Sequence, residues 1–179
     1  MISRDEYMAA RNAAAEALRR TEIVVSPQEI EKIDVADFGL SNLLTEGAQI
    51  VSLVETDKVA ARVIVLFPGQ TEPEHWHTSV GNYSGKQETL RVISGELLVY
   101  LPGEDTLSIG KVPVGKEEFY TARHEIRMFP ADTLTIPVGQ RHWFQAGSEG
   151  AVFYTISTLA IDDKDPFTDP NVIRKTRIE

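Results

Sequence analysis

The chain has 179 residues and not one cysteine. Disulfides and thiolate metal sites are therefore excluded, which leaves histidine and carboxylate as strong metal ligands. Long apolar runs are missing too. Nothing approaches the roughly 18 consecutive apolar residues of a membrane-spanning helix. The N-terminal stretch "MISRDEYMAARNAAAEALRRTE" is charged throughout and has no apolar centre for a secretory signal. Basic charge is in short supply: 18 Lys and Arg stand against 27 Asp and Glu, a net charge of −9 with His neutral. Nucleic acid and anionic membranes attract basic surfaces, so neither is expected as a partner. No internal repeat, linker or low-complexity segment is visible. A cytoplasmic enzyme or binding protein is the expectation.

What is there is a foldable chain. Apolar residues make up 42%, enough for a core, and the length suits a single domain. Ser3 followed by Glu6 reads as a capping box. The alanine-rich sequence to Arg20 then predicts a helix, with Tyr7, Ala10, Ala14 and Leu18 on its buried stripe. Ser26-Pro27-Gln28-Glu29 starts a second, short helix that ends near Ile33. After Asp34 the character changes to short strands: "AQIVSLVET", "KVAARVIVLFPG", "ETLRVIS", "ELLVYLPG", "EIRMFPA", "DTLTIPVG", "RHWFQAG" and "AVFYTISTLA". Turn signals at Ser94-Gly95, Pro102-Gly103, Val138-Gly139 and Gly147 to Gly150 separate several of them. Such spacing predicts a mainly β protein, an antiparallel barrel or sandwich with N-terminal α-helices. The expected layout is a helical extension over 1–47, a barrel over 48–158 and a tail over 159–179. The tail is polar, and is either a surface wrap or a lid.

Histidine is scarce, with four in all, yet His75 and His77 lie one residue apart. In an extended segment both point to one face, and Trp76 to the other. Lys86 and Glu88 share a parity as well. His142 follows a Pro-Val-Gly turn. Three imidazoles and one carboxylate suit a first-row divalent ion, and a six-coordinate metal would keep two positions open. His124 matches neither cluster and is expected to be a surface residue or to lie at the substrate's edge. Trp143 and Phe144 have opposite parities, so one should line the cavity and the other the core. Tyr83, Phe119 and Tyr120 sit in loops that can cover a mouth.

Two stretches resemble the paired motifs of the cupins. The first is Gly69, five residues, His75-x-His77, a spacer, Glu88, six residues and Gly95. The second is Asp132, four residues, Pro137-x-Gly139, two residues and His142. The resemblance implies a cupin-type β-barrel, or jelly roll, with His75, His77, Glu88 and His142 as metal ligands. The spacer from Thr78 to Gln87 is far longer than in the usual cupin. With "PEHWH", "GKQET", "RHWFQAG" and the tail "DDKDPFTDPN", it resembles the D-lyxose ketol-isomerase family.

That family resemblance implies a metal-dependent interconversion of an aldose and a ketose: D-lyxose with D-xylulose, and D-mannose with D-fructose. The implied cofactor is a divalent ion, manganese first, with iron, cobalt, nickel and zinc as alternatives. The implied partners are a small sugar and a second copy of the chain in a homodimer. Lys86, on the face of Glu88, can stabilise an oxyanion or shuttle a proton between oxygens. Related isomerases carry an acid near the end of the last barrel strand. Here that strand reads "FYTISTLAIDD", with Thr155, Ser157 and Thr158 expected inside, and Asp162 or Asp163 displaced into the role of base. Asp163 is the acid assigned. The alternatives are a phosphosugar isomerase using arginines such as Arg62, Arg123, Arg127 and Arg141, a cupin dioxygenase with a three-His, one-Glu iron site, and a non-catalytic sugar-binding cupin.

Overall fold

The computed structural model describes all of the chain, Met1–Glu179. Helix α1 (Arg4–Arg19) starts at Ser3, whose side chain accepts from the Glu6 backbone while Glu6 reaches back to the Ser3 backbone. Ala10, Ala14, Ala15 and Leu18 form its buried face. The last three pack on Ile33 and on Val51, Val63, Val65 and Val152, which form the outer surface of a sheet. Burying Leu18 fully contributes roughly 2 kcal/mol. A second capping box, Ser26 with Glu29, opens the one-turn helix α2 (Pro27–Glu31). Neither helix is long and apolar enough to cross a membrane.

Eight strands follow: β1 (Asp34–Ala36), β2 (Ala48–Glu55), β3 (Val59–Leu66), β4 (Thr71–His75), β5 (Glu88–Leu101), β6 (His124–Met128), β7 (Thr133–Ile136) and β8 (His142–Thr158). All their pairings are antiparallel, in the order β1-β2-β3-β8-β5-β6, with β4 added on β8 and β7 on β5. The two long strands serve two sheets. Early β8 lies between β4 and late β5, which carries β6. Late β8 lies between β3 and early β5, which carries β7. The sheets face each other as a jelly roll, and the hydrogen-bonded path stays open. Sixteen buried residues fill the space between them, Phe38, Leu90, Leu97, Phe144 and Phe153 among them.

The turn signals at Gly95 and Gly147 to Gly150 do not end strands. The chain bends there within β5 and β8, with register shifts at Val92/Ser94 and Gly95/Leu97. Gly95 has a φ of 78°, and a Cβ on it would lie 2.0 Å from the Gly150 carbonyl oxygen. Glycine is needed there because two backbones meet at the corner where both strands change sheets. Thr158, expected inside, is exposed because it has the opposite parity to Thr155 and Ser157, which are buried.

The tail wraps. Pro166 accepts from the Trp76 amide, the Thr168 amide donates to Glu74, and Phe167 bridges to His75. Residues 165–169 thus run beside β4 as a strap across one end of the jelly roll. Lys116 pins it, 2.8 Å from Asp169 and 3.0 Å from buried Glu46. Tyr120, placed by sequence at a mouth, is instead buried edge-on against Trp143, with its hydroxyl on Glu46.

Candidate metal centre

β4 supplies the first part of the site. Its register shifts between Glu72, opposite Phe144, and His75, opposite His142. This bulge brings Glu72 and His75 to the same cavity despite their odd separation, which a regular strand would not allow. His77 lies two residues further on. Glu88 opens β5 and His142 opens β8. Ring centroids are 4.3 Å apart for His75 and His142, 4.9 Å for His77 and His142, and 5.2 Å for His75 and His77. One ring nitrogen from each lies within 4.8 Å of the others.

The other ring nitrogens are occupied. His75 Nδ1 lies 2.9 Å from the Pro73 carbonyl and His142 Nδ1 2.8 Å from the Gln140 carbonyl. His77 Nδ1 is 2.9 Å from Asp165 Oδ2. The two carbonyl contacts place the ring protons of His75 and His142 on Nδ1 and leave their Nε2 atoms free to bind a cation, whereas the His77 contact with Asp165 is close but not aligned as a hydrogen bond. His142 Nε2 is buried without a protein partner. Such an atom is costly unless something accepts its lone pair, and a metal ion does. Glu88 Oε2 stands 3.3 Å from His77 Nε2 and 3.9 Å from His142 Nε2. The residues present fit a divalent ion.

Electrostatics favour the neutral form for two of the three rings; His77 is the exception, its pKa raised because Asp165 and Glu88 outweigh burial. Burial, then the neighbouring imidazoles, hold His75 well below its ordinary range. Burial and His77 pull His142 down to about 3. Burial opposes ionisation of Glu88, but Lys86 and His77 outweigh it and keep the carboxylate charged. A neutral imidazole and an ionised carboxylate are the forms that bind metals.

Lys86 is buried beside this group, not solvated. Its Nζ is 3.4 Å from Glu88, 3.4 Å from Asp162 and 3.9 Å from Asp165. Burial opposes its charge, but these three carboxylates raise its pKa. Asp163 is exposed and makes no contact with the site. The short 3-10 turn at Asp162–Lys164 directs its first residue inward and its second to solvent. The acids of the tail that line the cavity are Asp162 and Asp165, and Asp163, the acid assigned from the sequence, is not among them. Of the arginines, Arg62 reaches the cavity, with 2.6 Å contacts to both Asp162 and Glu55. Arg123 pairs with Asp105 and Arg127 with Glu96, and Arg141 stacks over Trp76. They form no cluster. His124 faces Thr106 outside the site.

Three charged cavity residues escaped the sequence reading, Asp165 of the strap among them. Glu72 was hidden by the bulge, and Arg174 by its distance along the tail. The cavity they share with His75, Lys86 and Glu88 measures about 20 Å³. Phe144 and Phe167 are among its apolar walls. Trp143 lies outside it, packed on Tyr100.

No family profile matches the chain. Curated relatives do. The D-lyxose ketol-isomerase of Cohnella laeviribosi is 45% identical over 175 residues, 97% of this chain and 96% of the relative. The D-lyxose/D-mannose isomerase of Thermosediminibacter oceani is 42% identical, covering 100% of this chain and 99% of the relative. Among solved structures, the L-ribose isomerase of Cellulomonas parahominis matches with a TM-score of 0.82 at 17% identity, over 99% of this chain and 98% of the other. That of Acinetobacter sp. DL28 in complex with L-ribose gives 0.81 at 15% identity, with the same coverage. The structural likeness shows a shared cupin fold. The sequence identity over nearly the full length shows more: the chain belongs to the D-lyxose ketol-isomerase family, aldose–ketose isomerases built on that fold.

Proposed function

We propose that the chain interconverts D-lyxose and D-xylulose, and D-mannose and D-fructose, at a divalent ion held by His75, His77, Glu88 and His142. The observation that carries this reading is the convergence of three buried imidazoles and an ionised Glu88 on one point beside a buried, charged lysine. The set of nitrogen and oxygen donors without thiolate suits a first-row divalent ion, and manganese is the one proposed first on the family resemblance. An ion there supplies a Lewis acid that polarises the sugar carbonyl and steadies negative charge on its oxygen.

The chain's own groups do the rest. Asp165 fixes the His77 ring. Asp162, held by Arg62, keeps Lys86 charged and aimed at the ligand carboxylate. Lys86 stabilises negative charge on the sugar oxygens and passes a proton between O1 and O2. Arg123, Arg127 and Arg141 are engaged away from the cavity, and Arg62 within it is held by Glu55 and Asp162, which favours an unphosphorylated sugar.

A homodimer in the cytoplasm is part of the same reading. Val54, Val59 and Ile156 are each about half exposed on neighbouring strands β2, β3 and β8, an apolar row suited to a second copy. Light scattering reads the mass directly. The function itself is tested by incubating manganese-loaded protein with lyxose, mannose and a phosphosugar, following both ketose formation and O₂ uptake. Xylulose production from lyxose without O₂ uptake supports the proposal. O₂ uptake, or turnover of the phosphosugar alone, overturns it.

A further inference from the structure

We propose that Glu72 is the carbon base of the isomerisation, the group that takes the proton from C2 of the open-chain aldose and returns it to C1. This rests on the isomerase reading above. The reaction requires a carboxylate or similar group with a free lone pair, facing the sugar beside the metal ligands. Four acids line the cavity or border it: Glu72, Glu88, Asp162 and Asp165. Three are committed. Glu88 is a candidate metal ligand, 3.3 Å from His77 and 3.4 Å from Lys86. Asp162 is gripped by Arg62 at 2.6 Å and by Lys86 at 3.4 Å, and these cations hold it below the carboxylate range against the effect of burial. Asp165 stands 2.9 Å from His77 Nδ1.

Glu72 differs from all three. It is only 8% exposed, and its Oε2 is buried with no partner in the protein. No lysine, arginine or histidine lies within ion-pair distance of it, although Arg174, Glu88, Lys86 and His77 act on it from further off. Burial lifts its carboxyl to about 7, against the pull of Arg174. A base in that range gives up a proton about as readily as it takes one. The bulge in β4 aims it into the cavity, and Ile50, Ile64, Phe144 and Phe167 wall the same space. A buried, unpartnered carboxyl destabilises the fold by its desolvation, so its presence in an apolar-walled pocket calls for a ligand.

The step balances. Glu72 takes the C2 proton, the C2–H electron pair becomes the C1–C2 double bond, and the C1 carbonyl oxygen becomes the enediolate oxygen. Lys86 gives a proton to O1 and receives one from O2. The electron pair on O2 then re-forms a carbonyl at C2, the double-bond pair moves to C1, and C1 takes the proton back from Glu72. No net proton, electron or co-reactant is consumed.

The test uses metal-loaded full-length protein, D-lyxose as substrate and D-arabinitol, its reduced open-chain form, as a ligand that cannot turn over. Glu72→Gln should keep its metal and bind D-arabinitol within about threefold of wild type. Its kcat should fall on the order of 10²–10⁴-fold, the usual loss of a general base. Glu72→Asp keeps a carboxylate one methylene back and should recover part of that loss. A kcat for Glu72→Gln within tenfold of wild type overturns the proposal. So does a rise in the D-arabinitol Kd that accounts for the whole loss of kcat/KM. If Glu72→Gln fails to load metal, Glu72→Asp decides: lowered kcat with unchanged D-arabinitol binding supports the base, and normal kcat overturns it. A wild-type protein that turns over no aldose overturns the isomerase reading. An active wild type with an active Glu72→Gln overturns the base alone.

Discussion

At the scale of single residues, Lys86 shows how burial turns an ordinary side chain into a chemical one. A lysine two positions before a glutamate would ordinarily lie in water. Here it is 4% exposed, with carboxylates from β5 and the tail around it. Replacing it with alanine should lower kcat about 10²-fold or more, as expected for loss of an oxyanion stabiliser. Metal content, read by elemental analysis, should not change, because the ammonium is not a ligand. Lys86→Arg keeps charge in a larger, rigid group that does not readily deprotonate. Rescue by arginine would assign an electrostatic role, no rescue a proton-transfer role, and near-normal kinetics in Lys86→Ala would remove Lys86 from the mechanism. The grouping of His75, His77, Glu88 and His142 was legible in the sequence through its resemblance to the paired cupin motifs, and parity along an extended segment joins His75 with His77. Glu72 and Asp165 were not. One is turned inward by a bulge and the other is brought to His77 by a strap, and both depend on contacts between distant segments.

At the scale of elements, strand positions followed from apolar runs, but their joining did not. Glycines at 95 and 147–150 look like turns in a string of letters. Only the meeting of the Gly95 and Gly150 backbones shows that they are corners in continuous strands. The strap is the element closest to function, and its latch has a calculable pH range. Burial opposes ionisation of Asp169, but Lys116 and the Asn171 amide outweigh it and lower its pKa. A lowered carboxylate contributes stability that is present above its ordinary pKa of about 3.8 and is lost as pH falls through the lower folded value. Burial opposes the charge on Lys116, but Asp169 and Glu46 raise its pKa. That contribution is present below its ordinary value of about 10.4 and is lost as pH rises through the higher folded value. The latch should therefore hold unchanged from about pH 4 to pH 10. Lys116→Ala should expose the Trp76 and Thr168 amides, which join strap and β4, to hydrogen exchange about tenfold faster, the effect of losing roughly 1.4 kcal/mol, with β2 and β3 unaffected. Equal protection in wild type and variant would show that the backbone contacts with β4 suffice.

At the scale of the whole molecule, a mainly β fold with helices at its start was legible because short apolar runs between turn signals and two helix starts announce it. The open path of the sheet was not, since nothing in the sequence says which strand edges meet. The core of sixteen buried residues is built from apolar groups between the sheets and needs no ion to form. Chelation should therefore abolish turnover and leave the far-UV dichroism intact at 25 °C, unlike a small zinc domain that unfolds. Thermal stability should still drop, because an ion that binds only the folded state stabilises it by mass action. Loss of β-sheet dichroism on chelation would show that the metal carries the fold as well as the chemistry.

The cavity beside the histidines, at about 20 Å³, holds about one water. A seated sugar is far larger than that and leaves no room for water beside its carbons. Hydrogen removed from carbon then has nothing to mix with until the site reopens. Substrate carrying deuterium at C2, turned over in ordinary water, should deliver most of its label to C1 of the ketose. Mass spectrometry of the product reads this directly: a retained label marks a sealed reaction chamber, and a washed-out label marks one that breathes faster than it reacts.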